Sequence, residues 1–155
     1  RATVIICGEV QIEDQSYKNN MLRKITDANL EDRILFLGKK PFEDLPKLFQ
    51  GMSVVAALSR NEGYGLTPLE GMASGAAVLT SSEGVWDELV RDGIDGYVVK
   101  TDDVFQTAER LNTLIENSSK TKIMGENAAK YILENFSIER EAKQIIQHIR
   151  DVQNI

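Results

Sequence analysis

Cysteine is almost missing from this chain: Cys7 is the only one, so no internal disulfide can form and a small fold stapled by disulfides is excluded. Proline is scarce at 3 positions, and nothing in the composition is low-complexity or collagen-like. No apolar run approaches the roughly 20 residues that a membrane-spanning helix needs. Positive charge is in deficit, since 18 Lys and Arg stand against 24 Asp and Glu, giving a net charge of −6. That balance argues against broad electrostatic binding to nucleic acid or to an anionic membrane surface, so any anion must be held locally. Histidine occurs once, at His148, without an acid or cysteine partner of catalytic type beside it. No His/Cys/Asp cluster has metal-ligand spacing. What is present is core material: 42% of the 155 residues are hydrophobic, enough for one domain of ordinary size. Together these features predict a soluble, cytoplasmic domain. Arg1 leads almost directly into the apolar run Thr3-Val4-Ile5-Ile6-Cys7, with neither Met nor signal peptide, as expected of a piece of a longer protein.

Four apolar runs rich in β-branched residues end at turn residues, the pattern of buried strands in a parallel sheet. They are Thr3–Cys7, Ile34–Leu37, Ser53–Leu58 and Ala76–Thr80, with a fifth at Tyr97–Val99. Helical segments alternate with them at Tyr17–Ala28, Phe42–Gln50, Thr67–Ser74 and Trp86–Arg91, which predicts an α/β sandwich around a mostly parallel sheet. Beyond Lys100 the pattern turns wholly helical. Val104, Ala108, Leu111 and Ile115 share one face; Met124, Ala128, Tyr131 and Ile132 mark a second helix; Ile138, Ala142, Ile145, Ile146, Ile149 and Val152 mark a third, capped by Ser137. Stripes of this kind are expected to pack into the core. In such folds ligands sit outside the carboxyl ends of the strands, which directs attention to the segments that follow them.

The richest of these segments is Ser59 to Gly75, SRNEGYGLTPLEGMASG, where a glycine-rich loop runs straight into a helix. Gly63 and Gly65 permit positive φ and close approach of a ligand to the backbone. Thr67 suits an N-cap and Pro68 the first helical position, and free amides at that helix start can hold phosphate without a basic side chain. Glu70 has two readings, since Thr67-x-x-Glu70 is also a capping box. Gly71, just inside the helix, implies a close neighbour, either packing or ligand. Glu62 lies before the helix, seven residues separating it from Glu70. Two hydroxyl-binding acids flanking a phosphate-ready helix start suit a nucleotide sugar.

The stretch from Glu62 to Gly75, followed by Ala-Val-Leu-Thr, closely resembles the glutamate-x7-glutamate segment of family 4 retaining GT-B glycosyltransferases. Asp32 to Gly38, Asp44 to Phe49, and Glu88 to Val90 with Asp92 to Val99 extend the resemblance over nearly the whole chain. General similarity is greatest to bacterial mannosyltransferases of lipopolysaccharide core and related surface polysaccharides. The resemblance implies a Rossmann-like three-layer sandwich, the C-terminal half of a GT-B enzyme, with C-terminal helices. It also implies that residues 1–155 form a single donor-binding domain lacking the N-terminal acceptor domain and the first segment of the C-terminal one. Glu62 is then the catalytic-site acid on the transferred sugar, with Gly63, Tyr64, Gly65, Leu66 and Thr67 around sugar and phosphate. Glu70 binds the ribose, Gly38 and Lys39 lie beside the base, and Ser82 or Glu83 rims the pocket. The donor is a GDP- or UDP-sugar, the acceptor a glycan or lipid-linked saccharide, and neither cofactor nor metal is expected. The full-length protein is expected to be a cytoplasmic hexosyltransferase working at the inner face of the membrane.

The departures bear on activity. An arginine and lysine that usually clamp the diphosphate would lie upstream of Arg1, so the isolated chain is expected to be inactive. Gly71 and Ala77 stand where alanine and proline are more usual. Two other functions remain open at this point: a non-catalytic nucleotide-sugar-binding module, and a sugar-nucleotide epimerase of the same fold. Cys7 and Trp86 are expected in the core, and His148 is expected to be structural or solvated.

Overall fold

The computed structural model describes residues 2–9 and 14–153. The chain divides into two compact units, one ending at Leu45 and the other beginning at Pro46. The strands are parallel throughout and alternate with helices, as the sequence pattern requires, and they form one hydrogen-bonded sheet in each unit.

The first unit contains β1 (Val4–Cys7), α1 (Gln15–Asp27) and β2 (Ile34–Gly38). β1 pairs with β2, Val4 opposite Ile34 and Ile6 opposite Phe36, and the register slips between Ile6 and Cys7 so that Cys7 faces Gly38. Helix α1 ends where Asn29 takes a left-handed φ of 53° and the Leu30 amide turns back to the Ile25 carbonyl at 3.1 Å. Cys7 departs from the core position expected of it. It is exposed, because it closes a two-stranded sheet at the slipped end, and its thiol donates to the Gly38 carbonyl at 3.4 Å.

Helix α2 (Leu45–Gln50) leads into the second unit, which continues through β3 (Val54–Ala57), α3 (Thr67–Ala73), β4 (Ala77–Ser81), α4 (Trp86–Leu89) and β5 (Gly96–Val99). β4 lies between β3 and β5. All five of its residues are buried, as a central parallel strand covered on both faces should be. Alternation along β4 divides the core in two. Val78 packs with Val55, Met72, Trp86, Val90 and Ala128 on one face; Ala77 and Leu79 pack with Tyr97, Val99, Leu114 and Met124 on the other. Trp86, 1% exposed, is the core residue its position suggested.

Three helices close the chain: α5 (Val104–Glu116), α6 (Ser118–Asn135) and α7 (Ile138–Gln153). Asp103 caps α5 by accepting the Gln106 amide at 2.9 Å. The buried face of α5 differs from the expected stripe: Leu114 is innermost and Leu111 half-buried, while Val104, Ala108 and Ile115 are exposed. On α6, Met124, Ala128 and Ile132 are buried as expected. Gly125 lets that helix lie on the backbone beside β4, because a Cβ there would come within 2.0 Å of the Gly75 carbonyl. Ser137 caps α7, accepting the Arg140 amide at 3.3 Å. The apolar ridge of α7 does not enter a core, however. Ile138, Ile145, Ile146, Ile149 and Val152 are all exposed, so the periodicity is amphipathic without a partner among the described residues. No helix among the described residues is long and apolar enough to cross a membrane.

Candidate functional site

The loop from Leu58 to Leu66 leaves the carboxyl end of β3 and enters α3, while the segment Ser82–Val85 leaves the adjacent end of β4. Neighbouring parallel strands therefore deliver both loops to one edge of the sheet. Two contacts hold them together. The Ser81 hydroxyl donates to the Ser59 carbonyl at 2.6 Å. Gly84, at φ 67°, lies so close to the other loop that a Cβ would come within 2.8 Å of the Glu62 and Gly63 carbonyl oxygens. A third tie reaches the loop after β5, where Arg60 Nε donates to Asp102 Oδ1 at 2.7 Å. Both partners of that pair are exposed, which makes it a weak restraint.

Glu62 is half-buried inside this framework. Its Oε2 accepts the Ser59 hydroxyl at 3.1 Å. The rest of the carboxyl group lies over Gly65, where a Cβ would stand 2.7 Å from Glu62 Cδ and 3.1 Å from Oε1. Gly65 has the left-handed φ, 54°, that its residue type permits. Of the two expected glycines only Gly65 uses that freedom, and the space above it is filled by Glu62 itself. Gly63 has open space where its Cβ would be.

Helix α3 begins at Thr67, with Leu66 in the cap position, and no side-chain cap hydrogen bond is made. Thr67 is thus the first helical residue and not the cap, with Pro68 next, so the local sequence placed the helix start one residue late. The capping-box reading of Glu70 falls with it: among the described residues no hydrogen bond holds the half-buried Glu70 carboxylate, and its amide donates to the Leu66 carbonyl at 2.9 Å. The amides of Tyr64, Gly65, Leu66 and Thr67 likewise make no hydrogen bond among the described residues. A carboxylate fixed at one end, a carboxylate without a partner at the other and a run of unused amides between them make a surface that can bind hydroxyls and an anion together.

Gly71 resolves in favour of packing. Its missing Cβ would stand 2.8 Å from Val55 Cβ, so the close neighbour is β3 and not a ligand. Gly38, at φ 64°, ends β2 and is followed by the exposed Lys39; both belong to the first unit, whereas Glu62 through Glu70 belong to the second. Ser82 and Glu83 precede Gly84 at the edge of the loop pair, and the Ser82 amide extends the sheet by donating to the Val99 carbonyl at 2.9 Å. His148 is exposed on α7, its Nδ1 2.8 Å from the Gln144 carbonyl. Among the described residues no group of three or more His, Cys, Asp and Glu could hold a metal ion. The reading of the sequence missed the two serines that brace the loop. Ser81 acts on Ser59 across 22 positions, a relation that strand pairing creates and local spacing does not display.

A parallel sheet flanked by helices, with two loops meeting at its carboxyl edge, is the Rossmann-like arrangement of GT-B glycosyltransferases. Residues 1–131 match the family model for glycosyl transferases group 1, and the chain belongs to that family. It is 37% identical over 143 residues to the lipopolysaccharide core biosynthesis mannosyltransferase LpcC of Rhizobium leguminosarum bv. viciae, an alignment covering 92% of this chain and 40% of the relative. A D-inositol 3-phosphate glycosyltransferase of Salinispora tropica is 28% identical over 144 residues, covering 93% of this chain and 30% of the relative. The chain therefore spans well under half the length of these relatives. Among solved structures, Anabaena Alr3699/HepE in complex with UDP superposes with a TM-score of 0.86 at 28% identity, covering 97% of this chain and 41% of the other. The C-terminal domain of LpcC from Francisella tularensis superposes with a TM-score of 0.83 at 29% identity, covering 88% of this chain and 70% of that one.

Proposed function

We propose that the chain is the nucleotide-sugar-binding part of a retaining hexosyltransferase, mannose being the favoured sugar, acting on a glycan or lipopolysaccharide acceptor. The observation that carries this reading is the pair Glu62 and Glu70 with unused amides at residues 64–67 between them. Glu62 accepts hydrogen bonds from hydroxyls of the transferred sugar, Glu70 from those of the ribose, and the amides of Leu66 and Thr67 face the distal phosphate. The assignment of Gly38 and Lys39 beside the base rests on the family resemblance alone. Related structures support the donor class, since HepE of Anabaena has been solved with UDP and with UDP-glucose. The mannosyltransferase relative supports the sugar.

In the reaction an acceptor hydroxyl forms a bond to the anomeric carbon while the bond from that carbon to the phosphate oxygen breaks. The nucleoside diphosphate departs with the electron pair, and the hydroxyl proton passes to the leaving phosphate on the same face, so configuration is retained. No covalent nucleophile is required. Amides and basic side chains neutralise the leaving group in this scheme without a metal. The chain's own contribution is to orient the sugar through Glu62, and misplacing a reacting group by about 1 Å can cost on the order of 100-fold in rate. Glu62→Ala in the full-length protein is accordingly expected to lower kcat by about two orders of magnitude, measured as transfer from GDP-mannose or UDP-glucose to a saccharide acceptor. Near-normal turnover in that variant, or an epimerised nucleotide sugar formed without acceptor, would overturn the assignment.

A further inference from the structure

We infer that Ser59 is a positioning residue for the donor sugar, acting through Glu62, and that Ser81 is its backstop. This rests on the role proposed for Glu62. A glutamate has three side-chain torsions to order on binding, and a carboxylate already held in place loses less freedom when ligand arrives. Here the holding is built from three sides. The Ser59 hydroxyl donates to Oε2 at 3.1 Å, Gly65 lies beneath the carboxyl group, and the Gly84 backbone closes on the Glu62 and Gly63 carbonyls. Ser59 itself is set by the Ser81 hydroxyl, which donates to its carbonyl at 2.6 Å from the wholly buried end of β4. Among the described residues, Ser59 engages one carboxylate oxygen, Oε2. Oε1, over Gly65, accepts no hydrogen bond among the described residues and is the oxygen left for a sugar hydroxyl. A nucleoside diphosphate lacks the transferred sugar and keeps only ribose hydroxyls, which this reading gives to Glu70, so the effect of Ser59 is confined to the sugar part of the ligand.

That confinement supplies the test. Calorimetric titrations of the full chain with UDP, UDP-glucose, GDP and GDP-mannose are compared for the unsubstituted protein, Ser59→Ala, Ser59→Thr, Glu62→Ala and the Ser59→Ala/Glu62→Ala double variant. Loss at Ser59→Ala of one hydrogen bond that reaches the sugar only through Glu62 is expected to weaken the preferred sugar nucleotide by about five- to tenfold and to leave its diphosphate within about twofold. Ser59→Thr, which keeps a hydroxyl, restores sugar affinity, and in the Glu62→Ala background Ser59→Ala adds no further loss. Ser81→Ala follows the same pattern more weakly. Equal weakening of diphosphate and sugar nucleotide, additive losses in the double variant, or failure of threonine to rescue overturns the inference. A sugar preference that disappears in Glu62→Ala but survives Ser59→Ala overturns the role of Ser59 alone. An unsubstituted chain that binds diphosphates and sugar nucleotides equally overturns the role of Glu62 as well.

Discussion

At the scale of single residues, the Arg91–Asp95 pair shows how burial decides which partner matters more. The Asp95 side chain is 0% exposed and that of Arg91 41%. Arg91 donates through Nε at 2.7 Å and Nη2 at 2.6 Å, and its guanidinium lies 4.4 Å from the Tyr131 ring centre. The side-chain hydrogen bond to Asp95 raises the Arg91 pKa above its ordinary value; burial works against that shift, and the charge of Asp95 adds to it. A pKa raised in the folded state contributes stability fully below the ordinary arginine value and loses it only as pH climbs past the higher folded one, so the pair holds through neutral and mildly alkaline solution. Removing the cation strands a wholly buried carboxylate, whereas removing the anion leaves a half-wet guanidinium that water can serve. Arg91→Met is therefore expected to cost about 3–5 kcal/mol and Asp95→Asn about 1–3 kcal/mol, measured by urea unfolding, and a larger loss from Asp95→Asn would contradict this reasoning. In the sequence, Asp92-Gly-Ile-Asp-Gly96 is a turn segment that shares in the family resemblance, and it carries no sign of a buried ion pair. The carboxylate is buried by its place ahead of β5 under α6, which the residue string does not display. Thr80 was hidden in the same way: its hydroxyl lies in the wholly buried β4 and finds no partner among the described residues.

At the scale of elements, strand and helix types were legible because each carries its own period and its own terminators; bounds moved by a residue or two, except that α2 begins at Leu45, three residues later than expected, after a 3-10 turn at Phe42–Asp44. The face each helix buries was less legible, since that depends on partners brought from elsewhere in the chain. The expected stripe of α5 fell partly on exposed positions, and the apolar ridge of α7 lies wholly on exposed ones. The α3–β3 contact illustrates the dependence. Gly71 is poor for a helix, costing roughly 0.5–1 kcal/mol relative to alanine, yet it brings α3 against Val55. Gly71→Ala adds that propensity but drives a Cβ into contact distances of 2.8 and 2.9 Å with Val55. Overpacking of this kind typically costs about 1–3 kcal/mol, so the variant is expected to melt at a lower temperature in differential scanning calorimetry. A raised melting temperature would show that α3 can retreat without loss.

At the scale of the whole molecule, the buried hydrophobic residues all belong to the second unit, and no described residue of the first is buried. Protection against hydrogen exchange should follow that division, because opening free energy tracks buried apolar contact. In hydrogen-exchange mass spectrometry, peptides covering 77–81 and 96–99 are expected to exchange last and those covering 4–7 and 34–38 markedly earlier; equal protection of the two sets would contradict it. The net charge of −6 acquires a place in the same picture, since the anion-ready groups between Glu62 and Glu70 are the backbone amides of residues 64–67. One contact there reaches beyond energetics. Gly84 is closed to every side chain by the carbonyls of Glu62 and Gly63, so the loops after β3 and β4 fit only as a pair. A change of length or path in either is viable only when the other changes with it, and recombination between related genes should tolerate crossovers outside residues 59–84 better than within them.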